Sequence, residues 1–298
     1  MSHSTRRSFL AASTAAVLSG SLASAAPAKH KLVLIAGTPS HGPGQHEHNA
    51  GVLLFQKCLA GVKDLDVQIV LNGYPKDDAL LDTADGIVVY ADGGGGHPLV
   101  QGNRLERINA LMRKGVGLFC CHFAVEVVKG KAGDAFRDWI GGCYEHQWSC
   151  NPMWKAEFKE LPRHPICNGV QPFTIHDEWY FNMRFRPEMQ GVTPILTASP
   201  TDATRDGPYV YPRGPYKHIQ EAKGRPEHVM WATQRKDGGR GAGFTGGHFH
   251  RNWKDDNFRK VVLNTMLWVA KVDVPAEGVA STVSDADMAK NLDPKGKK

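Results

Sequence analysis

Hydrophobic residues in the first half of the chain come in short unbroken runs. KLVLIAG (31–37), DVQIVLNG (66–73), GIVVYADG (86–93) and GVGLFCCHF (115–123) are four of them. Runs of this length without polar alternation fit strands covered on both faces. Between them the apolar positions recur at helical spacing, which predicts helices over about 49–59 and 102–114. The alternation predicts an α/β fold: a three-layer sandwich around a mostly parallel sheet.

The second half is less regular. WKAEFKEL, FTIHDEWYF and TPILTAS read as strands joined by Pro-rich loops, and HVMWATQ (228–234) and GAGFTGGHFH (241–250) as two more. DDNFRKVVLNTMLWVA predicts an amphipathic helix over about 255–270, with Asp255 or Asp256 as its cap. No repeat and no linker divides residues 30–271, so one domain is expected there. The remainder, 272–298, mixes Pro, Gly, Ser and charge and reads as an extended tail.

The first 25 residues stand apart. Paired Arg6 and Arg7, a weakly apolar Ser/Ala stretch and the triplet Ala23-Ser24-Ala25 have the layout of a twin-arginine export signal. The expected location is therefore periplasmic or otherwise exported. The apolar run is too short to span a membrane, and no other stretch reaches that length. Charge adds little: the +6 of the whole chain becomes +4 without Arg6 and Arg7. Its Lys and Arg are dispersed, with no basic stripe for nucleic acid. Export implies oxidising surroundings. Cys143 and Cys150 are spaced to pair, while Cys58, Cys120 and Cys121 read as buried thiols. No C-x-x-C favours a zinc ribbon.

The chemistry gathers where strands end. Sites in parallel α/β sheets form at the carboxyl edge, and histidines crowd there. His41, His46 and His48 follow the first strand, His97 the third, and His122 the fourth. Strand-to-helix elbows carry small residues two before and two after the displayed side chain. In CCHFA that pattern centres on His122, flanked by Cys120 and Ala124; centred on either cysteine it fails. His122 is thus a candidate base, ligand or hydrogen-bond donor. His248 and His250, two apart on a presumed strand, would share a face and with His41 and His46 supply a metal set. His48 and Glu47 fall at a helix entry, where Glu47 suits the dipole. Asp177 and Glu178 stand beside Trp179 and Tyr180, a pairing suited to sugar binding and acid–base work. Glu145, His146, Trp148 and Asn151 form a second such mixture. DGGGGHP (92–98) lacks the order of a phosphate loop and reads as a turn that lets backbone approach a site.

Together SHGPGQHEHNAG, ADGGGGHPL, GLFCCHFAVE, YEHQWSCNP, HPICNGV, HDEWYFNMRF and GAGFTGGHFHRNWKDDNFRKVVLNTMLW resemble the ThuA-like (trehalose utilisation) family, across nearly all of 31–270. The resemblance implies a flavodoxin-like sheet of the class I glutamine amidotransferase type. It also implies a sugar-related role, such as processing of 3-keto disaccharides or glycosides. The amidotransferase elbow holds cysteine; this one holds His122, so that mechanism does not transfer. The expectation is an exported carbohydrate-active enzyme, a hydrolase or lyase, with catalytic His122, Glu178 and Asp177. Trp179, Glu145, Trp148 and His97 would bind a small carbohydrate substrate. His41, His46, His248 and His250 would hold one divalent metal, zinc first because imidazole suits it. The alternative is a noncatalytic periplasmic sugar-binding or accessory protein. Self-association into a homo-oligomer is left open.

Overall fold

The computed structural model describes Met1 and residues 30–295. Apart from Met1, the predicted export signal lies outside them. Seven strands form the central sheet: β1 (His30–Ala36), β2 (Leu65–Val70), β3 (Gly86–Tyr90), β4 (Gly117–Cys121), β9 (Val192–Ala198), β10 (Glu227–Gln234) and β11 (Arg240–Phe244). Their order is β2-β1-β3-β4-β11-β10-β9. The first five are mutually parallel, and β10 runs antiparallel to both its neighbours. The fold is α/β with a mostly parallel sheet, of the flavodoxin-like kind.

Alternate residues of the central strands feed opposite faces. Leu32, Leu34, Val88 and Tyr90 enter one core; Val33, Ile35, Ile87 and Val89 enter the other. Both faces are covered, so the strand runs lack polar alternation. The helices α1 (His48–Leu59) and α6 (Asp256–Val269) pack into the first core, α2 (Arg104–Arg113) and α3 (Lys131–Ile140) into the second. Asp255 caps α6, accepting from Asn257 and Phe258 N–H. No element was expected at α3, although Ala132, Phe136, Trp139 and Ile140 have helical spacing and are buried. Glycines at both ends, Gly130 and Gly141, bound it tightly.

Two further pairs lie outside the central sheet. β5 (Gly142–Cys143) pairs with β8 (Arg184–Phe185), and β6 (Met153–Phe158) with β7 (Phe173–Glu178). Short helices α4 (Asp202–Asp206), α5 (Lys217–Gln220) and α7 (Asp285–Met288) complete the fold. The last of these corrects the picture of an extended tail. Residues 285–295 dock on the body: Lys57 pairs with Asp287 at 2.5 Å, and Asp293 N–H donates to Glu47 at 2.7 Å. All six cysteines are free, so the Cys143–Cys150 pairing is absent. No described helix is long and apolar enough to cross a membrane.

Candidate metal centre

β4 ends at Cys121 and the chain turns at once into a short 3-10 helix, His122–Val125. His122 sits at the corner with φ 55°, a left-handed conformation that costs a non-glycine residue about 1 kcal/mol or more. His41 (φ 58°) and His46 (φ 45°) are strained in the same way on the loop after β1. Such strain persists only where surrounding contacts enforce it. The elbow is held against the loop after β3, where a Cβ at Gly93 would come within 2.1 Å of Phe123 O. This is the close backbone approach that the glycine run permits.

β11 is parallel to β4, so its carboxyl end delivers residues 245–250 to the same edge. The strand stops at Phe244, earlier than expected. His248 and His250 therefore do not share a strand face. Backbone bonds zip this segment to the first loop: His46 N–H to His248 O at 3.0 Å, His250 N–H to Gly44 O at 2.9 Å. The β6–β7 pair adds Glu178 at its open end, the last residue of β7.

Four buried side chains converge: His46, His122, His248 and Glu178. His122 Nε2 lies 3.0 Å from His46 Nε2, which lies 3.1 Å from His248 Nδ1. Glu178 Oε2 is 2.6 Å from His248 Nδ1 and 3.6 Å from His122 Nε2. The far nitrogens fix the tautomers. His122 Nδ1 faces Thr245 O at 2.8 Å and must donate. His46 Nδ1 faces the Asp92 carboxylate at 2.7 Å and donates likewise. In the neutral rings both Nε2 atoms are then bare lone pairs facing each other. Something positive must lie among the four donors, either a proton or a cation. Zinc bonds of about 2.0–2.1 Å in a tetrahedron separate ligand atoms by roughly 3.4 Å, and the separations here, 2.6–3.6 Å, bracket that value. The donor set fits a metal ion, and an outer carboxylate or carbonyl orients two of the three imidazoles, His46 and His122, as metal ligation needs.

The titration shifts agree. Burial alone would lower His122, but the facing Glu178 outweighs it and raises the imidazole. Burial would raise Glu178, yet His122 and His248 hold its carboxyl down. His46 is pushed down to about 2 by burial, so it stays neutral. In the metal-free centre the proton belongs on His122. Cys120 and Cys121, next to the elbow, have thiols pushed up by burial, which suits them poorly as nucleophiles.

Supporting contacts tie the centre together. Tyr180 OH lies 3.2 Å from His122 Nε2, and Asn151 donates to Glu178 Oε1 at 2.9 Å. Asp177, expected to move protons, is committed elsewhere. Its two oxygens accept from Gly247 N, His248 N, Glu178 N and Asn252 Nδ2 at 2.8–3.1 Å, so it braces the His248 loop. Glu47 does not serve the helix dipole through a cap: it accepts from Gly44 N and from Asp293 N. Lys295 reaches under the loop to donate to Ser40 O, Gln45 O and His46 O.

Other candidate residues lie elsewhere. His250 opens a 3-10 helix, outside the donor group, with burial lowering it to about 4. His41 stacks on His46 at 3.5 Å and is 3.9 Å from Asp92, beside the four-donor centre; with His46 and Asp92 it forms a second, more exposed group that could hold an ion. His97 is fully buried between Ala124 O and Leu99 N–H, where no sugar reaches it. Trp179 is fully buried among Phe158, Phe244 and Phe258. Trp148 has His218 stacked on its ring at 4.7 Å and the Arg184 guanidinium at 3.4 Å, leaving no face for a sugar. Glu145 pairs with Arg184 at 3.0 Å.

Sequence reasoning missed Asp92; it places Tyr180 and Asn151 among the aromatic–carboxylate mixtures but gives them no role. Asp92 had a signal, for it stands just past β3 at the edge that singled out His122. Glu126, four residues beyond the elbow, was also missed. Burial, then Glu178, raises its carboxyl to about 7.

Fold and site together define a flavodoxin-like α/β protein with a buried histidine–carboxylate centre at the carboxyl edge of its sheet. The trehalose utilisation family, ThuA, matches residues 33–269, and the chain belongs to it. A crystal structure of a ThuA-like protein from Bacteroides uniformis is similar in fold: 16% identity, TM-score 0.58, covering 85% of this chain and 97% of that one. PurLQS from Thermotoga maritima aligns with 9% identity and TM-score 0.41, over 82% of this chain and 98% of that one. No curated protein matches.

Proposed function

We propose that the protein is an exported carbohydrate-active enzyme acting on a 3-keto disaccharide or glycoside. One divalent ion, zinc first, is held by His46, His122, His248 and Glu178. The observation that carries the metal is the pair of bare Nε2 atoms, 3.0 Å apart, each oriented by a hydrogen bond on its far nitrogen. Membership of the trehalose utilisation family supports a sugar as substrate. A bound divalent ion supplies Lewis acidity toward a carbonyl oxygen. The chain's own groups do the rest. Asp92 and Thr245 O keep the two imidazoles in the ligating tautomer. Tyr180 brings a hydroxyl to the centre, and Asp177 keeps the His248 loop in register. Glu126, near neutrality in its ionisation, can exchange a proton at the rim.

Metal analysis of natively expressed protein, with an assay on keto-disaccharides, tests the reading. One ion per chain and turnover abolished in His122→Ala are expected. No ion and no turnover across the panel would sink it. Export is checked by the mature N-terminus in a periplasmic fraction: an intact chain confined to the cytoplasm contradicts it.

One observation favours a second reading, a noncatalytic sugar-binding protein. All four donors are at most 3% exposed, as in closed structural metal sites. In that case His122→Ala only weakens binding.

A further inference from the structure

Tyr211 is the most exposed aromatic ring of the described chain, at 70%, yet its backbone is fastened to the centre. Its N–H donates to Asn151 Oδ1 at 3.1 Å, and Val210 N–H to Asn151 O at 3.3 Å. Asn151 in turn holds Glu178. The His146 ring lies 5.8 Å from that of Tyr211, tilted 40°. His146 Nδ1 is 3.9 Å from Glu126 Oε1. Among the described residues no hydrogen bond reaches the Glu126 carboxyl, although it is only 16% exposed. The partly buried Phe123 follows the elbow, its ring 6.2 Å from that of His46 and its carbonyl accepting from Glu126 N–H at 2.9 Å.

An exposed ring contributes little to the core, and a mostly buried carboxyl that accepts no hydrogen bond is costly. Their juxtaposition makes sense as a surface awaiting a ligand that is apolar on one face and rich in hydroxyls on its edge. We propose that Tyr211, His146, Glu126 and Phe123 form the saccharide-ring subsite, with Tyr211 stacking on the C–H face of a pyranose and Glu126 bonding its hydroxyls. This rests on the reading that the ligand is a sugar. It moves the recognition surface from the tryptophans to the 207–216 loop.

The test is calorimetric titration of metal-loaded protein with trehalose and 3-keto-trehalose. Tyr211→Ala should weaken binding about tenfold, and Glu126→Gln by a similar factor, since a charged hydrogen bond contributes about that much. Neither residue is a metal ligand, so metal content should match wild type, and the melting temperature should not fall in either variant. Unchanged affinity in Tyr211→Ala overturns the subsite, as does a wild type that binds neither sugar. The two readings fail separately. Turnover with an unaltered KM in Tyr211→Ala removes the subsite and leaves the enzyme. Binding weakened in both variants, with no turnover by wild type, supports the subsite and removes the enzyme.

Discussion

Two stretches of this chain carry the same kinds of residue and end in opposite states. SHGPGQHEHN and YEHQWSCN both mix histidine, an acid and polar neighbours. In the second, the groups satisfy one another: Glu145 bonds Arg184, Arg184 covers Trp148, and His218 covers its ring too. In the first, the bond from His46 to Asp92 turns its inner nitrogen onto those of His122 and His248, three imidazoles that need a shared proton or cation between them. Residue type marks where chemistry is available. Incomplete satisfaction among buried groups marks where it is used, because such groups are retained only against a cost.

The contrast can be broken by mutation, and the largest effect should come from the unsatisfied region. His122→Ala or His248→Ala removes a ligand and should cost about a hundredfold or more in metal affinity, read by competition with a chromogenic chelator. Retained affinity would mean the ion sits elsewhere. Asp177→Ala should lower stability by about 3 kcal/mol, since four buried N–H donors lose their acceptor. Chemical denaturation reads this, and a loss under about 1 kcal/mol would contradict the bracing role.

Asp92→Asn keeps the shape but removes the charge that fixes the His46 tautomer, and should weaken metal binding about tenfold. The pH dependence has a definite sign. The raised His122 imidazole holds a proton that the ion must displace. Affinity is therefore full above its pKa and falls about tenfold per unit as the pH drops below it. A flat profile between pH 8 and 5 would show that no proton is displaced. The smallest effect belongs to the satisfied region: Trp148→Ala should cost about 1 kcal/mol of stability through its lost cation–π contact, leaving metal content unchanged. A large fall in metal content there would erase the contrast.

Much of the fold was legible. Unbroken apolar runs specified buried parallel strands, and CCHFA specified the elbow, because small flanks around a displayed residue are a local steric requirement. Local rules faded where partners were distant. The reach of β11 was overestimated because TGGHFH continues its apolar alternation, yet glycines after Phe244 release it from the sheet. Trp179 and Trp148 looked like sugar platforms since nothing local shows what covers an aromatic face. Asp177 looked like a catalytic acid until the His248 loop folded onto it.

By itself the sequence determined four parallel strands and two of the helices of the first half, the displaying corner at His122 and the stock of histidines at one sheet edge. These follow from sterics and periodicity within a few residues. Only the tertiary structure decided which histidines meet. His46, His122 and His248 converge because β11 pairs parallel to β4 and the β6–β7 hairpin carries Glu178 over the edge. His250 turns away in its own helical turn. Pairwise geometry between residues 76 to 202 positions apart depends on packing of the whole chain, and no local pattern encodes it.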